Sequence, residues 1–359
     1  MIDRVVVLAG GFATRLRPLS YTRAKPLFPI LDKPLIDWIL ERARDIAPAV
    51  ISARYLAHMI REHISRRWGG AATVVEESRP MGDGGALAHV AESLNISGAV
   101  MVVNGDVFTD ADYRAVLDAH KRAGGVATMM LVEVSPESVS KYGIAVLDDS
   151  MRLIEFVEKP KEPPAGSRLA NAGIYVFEPE VFKLIPRRRG EVKIAKDIIP
   201  ELLRRGDIYA FIHRGIWHDI GTPADYLKAN YAALDKWGSK EVDKPGIDIT
   251  PPVYIGEGSI VEEGASLGPY VVLGQGAKVG RYARLKNSVL MRAATVEPGA
   301  YISGSIIGEE TYIGRWARVL ESVVADGVYI KDEVYVGRGS AIGPNREVVE
   351  DVPDGSMLP

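Results

Sequence analysis

Two hydrophobic patterns divide the chain. Up to about residue 237, short β-branched runs alternate with segments whose apolar side chains recur every three to four positions. The runs at 5–8, 49–53, 72–76, 99–103 and 126–134 read as buried strands, and 35–47, 57–68, 85–94 and 110–123 as helices. This alternation predicts an α/β fold: a mostly parallel, doubly wound, Rossmann-like sheet with helices on both faces. Such sheets bind ligands at the carboxyl ends of their strands. Extended segments at 143–147, 153–158, 172–177 and 208–213 then interrupt the alternation and predict a lobe with antiparallel strands. Helices at 194–205 and 223–237 close this half.

A charged, proline-bearing stretch at 238–252 is expected to be a linker. Beyond it the apolar period becomes six: Ile255, Val261, Leu267, Leu273, Val279 and Leu285. Helices repeat at about 3.6 and strands at 2, so six demands another geometry. It is the hexapeptide repeat of a parallel β-helix, in which each flat face turns one apolar side chain inward. The phase slips by one residue before Leu290, Val296 and Ile302, again before Ile307, Ile313 and Val319, and again before Val324, Ile330, Val336 and Ile342. Each slip marks a shortened corner. The spacing predicts about five coils, capped by a polar tail at 345–359. Domains are therefore expected at 1–237 and 253–359.

Composition narrows the function. With 359 residues, 47% hydrophobic and 25% charged, the chain is an ordinary globular protein long enough for two or three domains. A net charge of −3 gives no reason to expect nucleic-acid binding. The absence of cysteine excludes disulfides, thiol nucleophiles and thiolate metal sites. A strand begins almost at residue 1 and no apolar run reaches membrane-spanning length, so the expectation is a cytoplasmic protein without a membrane partner.

The densest chemistry follows the first strand. Gly10-Gly11 permits a sharp turn and close backbone approach, and Arg15, Arg17, Arg23 and Lys25 arrive within the next residues, stiffened by Pro18 and Pro26. A glycine turn loaded with fixed positive charge suits a polyphosphate. No G-K-[ST] follows the glycines, so this is not a Walker A loop, and the run GGFATR does not spell the G-x-G-x-x-G dinucleotide turn either. The run GGFATRLRPLS followed by KPL resembles the signature of sugar-1-phosphate nucleotidylyltransferases, most closely the mannose-1-phosphate guanylyltransferase branch. Ala13 and Ala24 stand where that family usually has glycine and proline. The hexapeptide half resembles the left-handed β-helix attached to many of these enzymes, and ISGSIIGEETYIGRWARVLESVV is especially similar to the guanylyltransferase branch.

Two acids are candidate metal ligands. Asp106, in MVVNGDVF, follows a buried strand; alone it fits either Mg²⁺ or the N-cap of the next helix, and the cationic loop favours the metal. Asp219, in GIWHDIGTP, is released from capping because Thr222 with Pro223 makes the better helix start. The resemblance implies that both hold the family's Mg²⁺. It also implies sugar and sugar-phosphate contacts from Gly143, from Glu158 and Lys159 in E-K-P, and from Asn171 and Gly173 in N-A-G, within a sugar-binding lobe. Leu8, Gly10, Gly11, Arg15, Lys25, Glu77, Gly82 and Asp106 make up the expected nucleotide site. Glu77 lies in a glycine-rich turn, at a position where thymidylyl- and some uridylyltransferases carry glutamine. A carboxylate only accepts, which suits the adjacent N1–H and 2-amino donors of guanine.

The expected reaction is direct transfer from an NTP, GTP in first place, to a hexose-1-phosphate such as mannose-1-phosphate, giving a nucleotide-sugar and pyrophosphate. Arg15 and Lys25 would stabilise the leaving phosphates and Lys159 would hold the attacking one. A glucose-1-phosphate thymidylyl- or uridylyltransferase is the alternative. Hexapeptide acyltransferases usually need a histidine base, and every histidine here precedes Asp219. A non-catalytic regulatory or translation-factor-like subunit would be expected to lose the charged residues that this chain keeps. The flat β-helix faces suit a homo-oligomer.

Overall fold

The computed structural model describes residues 2–186, 190–238 and 245–359; residues 239–244 of the expected linker lie outside them. The chain forms two compact units, one of Met1–Phe12, Ala24–Pro26 and Leu35–Asp219, the other of Ala13–Arg23, Leu27–Pro34 and Ile220–Pro359.

The first unit is built on β1 (Ile2–Ala9), α1 (Leu35–Ala43), β2 (Ala49–Ala53), α2 (Ala57–Arg67), β3 (Ala72–Glu76), α3 (Gly82–Ser93) and β4 (Ala99–Asn104). The short β5 (Val107–Thr109), α4 (Tyr113–Ala123), β6 (Ala127–Glu133), β7 (Gly143–Leu147), β8 (Leu153–Glu158) and β9 (Leu169–Phe177) follow. It ends with α5 (Ile199–Arg205), β10 (Ile208–His213) and β11 (Trp217–Asp219). One nine-stranded sheet runs β8-β7-β9-β4-β1-β2-β3, with β6 also beside β9 and β10 beside β6. Strands β4, β1, β2 and β3 are mutually parallel. Val5, Val6 and Val7 of β1 are fully buried, as a parallel strand covered on both faces requires.

The expected lobe of antiparallel strands is built as an extension of the main sheet. β9 runs antiparallel to β4, β6 and β7 and so extends the main sheet, while β10 pairs parallel with β6. Isolated strands must hide their edges, and joining the existing sheet does this directly. Helix boundaries also move. α1 stops at Ala43, short of the expected 47, where the chain tightens into a turn with Ile46 N donating to Ala43 O at 2.9 Å. α3 starts at Gly82 instead of 85, since the Val192 carbonyl accepts from Gly84 N (3.0 Å) and Gly85 N (3.2 Å) and relieves the helix start of a side-chain cap. α4 is capped by Asp112, whose Oδ1 accepts from Arg114 N at 2.9 Å, so Asp106 is no cap.

The second unit holds α6 (Pro223–Trp237) and the β-helix. Thr222 caps α6 by accepting from Asp225 N at 3.2 Å, as expected. Tyr226 hydroxyl donates to Pro29 O (2.6 Å), and Asn230 Oδ1 accepts from Leu31 N (2.8 Å), fastening segment 27–34 to α6. The β-helix has three parallel sheets of six, seven and six strands. Val272 pairs with Val289, Val289 with Ile306 and Ile306 with Val323, so successive coils superimpose. Leu273, Leu290, Ile307, Val324 and Ile342 fill its core, all fully buried. Six-stranded faces exceed the expected five coils because pairing runs past both ends of the periodic stretch. Asp248–Ile249, inside the expected linker, pairs with Ser266–Leu267, and Glu347–Val348 in the expected tail pairs with Tyr329–Ile330.

Candidate active site

In the first unit β1 lies between β4 and β2, where the order of connection reverses and an open α/β sheet leaves a crevice. A cavity of about 350 Å³ opens there. Each of the four strands supplies lining just past or at its carboxyl end: Gly10 and Gly11 after β1, Arg54 after β2, Glu77 after β3, and Asn104 and Asp106 from β4. Leu8, Gly82 and Asp83 also face the cavity. The expected nucleotide residues of this unit thus share one space, apart from Lys25, which reaches it through Asp106.

Glu77 is nearly buried. Its Oε1 accepts from Ser52 Oγ at 2.9 Å. Burial pushes its carboxyl above the usual range, opposed by the Ser52 hydrogen bond and by the fields of Arg54 and His89. A Cβ at residue 10 would collide with this carboxylate, which explains glycine there better than turn geometry does. Gly82 has φ +72° and backs onto the Val192 carbonyl, so it belongs to the helix start rather than to a free turn. Asp83 Oδ1 accepts from Gly84 N and Ile194 N, each at 2.8 Å, tying α3 to the segment before α5.

Lys25 Nζ stands 2.6 Å from Asp106 Oδ2 and 3.7 Å from Asp219 Oδ1. The two acids are 113 positions apart in sequence, yet β5 and β11 pair antiparallel with Asp219 opposite Val107, next to Asp106. One ammonium and two carboxylates therefore meet. Gly105, at the turn between β4 and β5, donates its N–H to Leu8 O at 2.8 Å, and a side chain there would press on that carbonyl.

The residues expected at the sugar cluster on β7, β8 and β9. Gly143 pairs with Glu158 across the β7–β8 ladder, and a Cβ at 143 would strike the Phe156 ring and the Glu158 carboxylate. Lys159 is exposed, at φ 51°, a left-handed conformation costing about 1 kcal/mol for a residue with a Cβ. Asn171 Oδ1 accepts from Gly173 N (3.0 Å) and its amide donates to the Tyr175 hydroxyl (2.7 Å). Gly173, φ +74°, backs onto Asn104, a cavity residue. Trp217 Nε1 donates to Ala172 O at 3.0 Å, tying the Asp219 strand to this bulged segment.

The cationic loop does not act as one cluster. Lys25 belongs to the first unit and Arg15, Arg17 and Arg23 to the second. Arg15 is exposed beside Gly221, and Arg17 lies over the Tyr21 ring at 5.1 Å. Arg23, expected among the phosphate-facing cations, is 7% exposed and turned into the β-helix. Its Nη2 meets Glu309 (2.9 Å) and Asp326 (3.2 Å), its Nη1 lies 2.9 Å from Met291 Sδ, and Thr22 Oγ1 donates to Asp326 Oδ2 at 2.7 Å. A guanidinium left inside without carboxylates would carry a large desolvation cost, so these acids claim it. Ala13, where glycine was expected, takes φ 51°, and its carbonyl accepts from Ser20 Oγ at 2.8 Å. Ser52, Arg54, Asn104 and Asp326 escaped sequence reasoning; only the first three carried a signal, their place at or near strand ends.

Comparison with known proteins follows this division. A nucleotidyl transferase family model matches residues 4–236, and the GMPPB C-terminal domain matches 249–358. Mannose-1-phosphate guanylyltransferase 1 of Arabidopsis thaliana is 32% identical, covering 97% of this chain and 98% of its own. Mannose-1-phosphate guanylyltransferase catalytic subunit beta of Drosophila melanogaster is 30% identical over 99% of this chain and 97% of its own. The protein of the same name from Dictyostelium discoideum is 29% identical over 99% of both. The chain belongs to the nucleotidyl transferase family, in the branch of the mannose-1-phosphate guanylyltransferases.

Proposed function

We propose that this protein transfers a guanylyl group from GTP to mannose-1-phosphate, forming GDP-mannose and pyrophosphate. The observation that carries the reading is the meeting of Lys25 with Asp106 and Asp219 beside a cavity that also holds Glu77. Names of relatives that span the whole chain support the substrate pair. A phosphate oxygen of the sugar-1-phosphate attacks the α-phosphorus of GTP, the bond to the β-phosphate bridging oxygen breaks, and pyrophosphate leaves with its electron pair. Such transfer needs positioning and charge neutralisation, not an enzyme nucleophile.

Gly10 and Gly11 let the backbone approach the nucleotide, and Glu77 accepts from the guanine N1–H and 2-amino groups. Lys25 neutralises the leaving phosphates, and Lys159 holds the phosphate of the attacking sugar. Gly143, Glu158, Asn171 and Gly173 receive the sugar. Among the described residues no three His, Cys, Asp or Glu side chains gather as a metal site, so protein alone does not complete one. Two carboxylates aimed at one ammonium fit Mg²⁺, which takes one or two carboxylates with substrate phosphate oxygens. When bound by Asp106 and Asp219, the cation neutralises phosphate charge.

Pyrophosphate release measured over a grid of GTP, ATP, UTP and dTTP against mannose- and glucose-1-phosphates tests the proposal. Preference for GTP with mannose-1-phosphate supports it; preference for dTTP or UTP with glucose-1-phosphate replaces it with the alternative. Self-association belongs to the same reading. It is supported by Tyr282, Trp316 and Tyr329 standing 63%, 60% and 42% exposed on the β-helix, and light scattering of the full chain tests it.

A further inference from the structure

The cavity contains a cation to which the reaction above gives no part. Arg54 is the first residue after β2 and lines the space with Glu77. Its guanidinium carbon lies 4.1 Å from the centre of the Phe12 ring, and that ring packs against Tyr55 at 5.3 Å. A guanidinium stacked on an aromatic face loses much of its rotational freedom, so its donors point in fixed directions. Its Nε is buried and has no hydrogen-bond partner among the described residues. A buried donor without a partner costs on the order of 1–3 kcal/mol, a cost that a ligand acceptor would remove.

We propose that Arg54 reads the base: it donates to guanine O6 and N7 while Glu77 takes the neighbouring N1–H and 2-amino donors. The inference rests on the guanine reading of the proposed function. The chemistry of the edge favours it. Guanine presents two acceptors, O6 and N7, beside two donors, and paired guanidinium and carboxylate groups match that sequence. Adenine reverses both central groups: its 6-amino donor would face Arg54 and its N1 acceptor would face Glu77. The field of Arg54 also favours the ionised form of Glu77. The pair is held from behind by Ser52 on Glu77 and by Phe12 on Arg54.

Steady-state kcat/KM with GTP, ITP, 6-thio-GTP and ATP tests this on the wild type, Arg54→Gln and Glu77→Gln. Inosine keeps O6, N7 and N1–H but lacks the 2-amino group; the sulfur of 6-thio-GTP accepts poorly. Arg54→Gln is expected to lose about ten- to a hundredfold for GTP and the same factor for ITP, with no loss for ATP, so the GTP-to-ATP ratio collapses. Glu77→Gln is expected to lose more for GTP than for ITP. Wild type given 6-thio-GTP should show a loss like that of Arg54→Gln with GTP, an outcome that requires no variant to fold. Equal losses for all four nucleotides in Arg54→Gln, or 6-thio-GTP used as well as GTP, would overturn the assignment of Arg54 alone. A wild type preferring dTTP or UTP would overturn the guanine reading and this inference with it.

Discussion

Lys25 and Arg23 stand two residues apart, each between two carboxylates. Lys25 sits between Asp106 and Asp219, Arg23 between Glu309 and Asp326. The formal charges are the same and the surroundings are not. The Arg23 cluster is completed by protein: both terminal nitrogens are engaged, and Thr22 takes a further lone pair of Asp326. The Lys25 cluster is left partly open, with Asp106 35% exposed and facing the cavity. A fork-shaped cation saturated by its neighbours fastens a chain, whereas a point charge beside an open carboxylate can exchange partners with a substrate. Cation count in a loop therefore says little about a polyphosphate until each cation's partners are known.

Arg23→Ala should have the largest effect on this contrast. Removing it leaves Asp326 part-buried without its cation and Glu309 with Arg292 alone, and stability should fall by about 3 kcal/mol. Urea unfolding of the full chain measures this; a loss below about 1 kcal/mol would mean the cluster holds nothing together. Asp106→Asn should instead spare the fold and cut turnover by on the order of a hundredfold or more. Pyrophosphate release with circular dichroism separates the two effects, and full activity would remove Asp106 from the chemistry.

A smaller effect concerns pH. Glu77 in the folded protein holds its proton above the ordinary 4.5 of a free glutamate side chain. Between those values the unfolded chain has lost the proton and the folded chain keeps it, so Glu77 makes stability fall as pH rises through that window. Thermal melts from about pH 4 to 7 should show a shallower decline for Glu77→Gln. A steeper one would reverse the assigned cause. The smallest expected change is at Ala13. Glycine accepts φ 51° without the methyl clash, so Ala13→Gly should gain up to about 1 kcal/mol, offset in part by the freer unfolded chain. Denaturation midpoints read this, and a loss would show that the methyl group packs favourably.

Legibility in the sequence followed repetition. In the β-helix every sixth residue does the same work, so Leu273, Leu290, Ile307 and Val324 could be placed inside before any coordinate existed. The ends were harder: Ile249 and Val348 lie six residues outside Ile255 and Ile342 and pack with the core, but each stands in a charged or proline-bearing stretch that reads as linker or tail. In the first unit strands β1 to β4 were legible as buried runs, and Gly10, Glu77 and Asp106 as breaks at their ends. The antiparallel strands were legible as strands but not as sheet members, because edge choice depends on which neighbours are vacant. Arg54 looked like any strand-end cation until its stacking on Phe12 appeared.

Local patterning by itself determined the two architectures, the turn after β1 and which residue types could meet phosphate, because period, glycine and charge are properties of short stretches. Tertiary structure alone decided which charges meet. Asp106 joins Asp219 only because β5 pairs with β11, and Arg23 leaves the phosphate-facing set only because Glu309 and Asp326 come to it. Ion pairing depends on distance in space and on the dielectric around it, and neither is written along the chain.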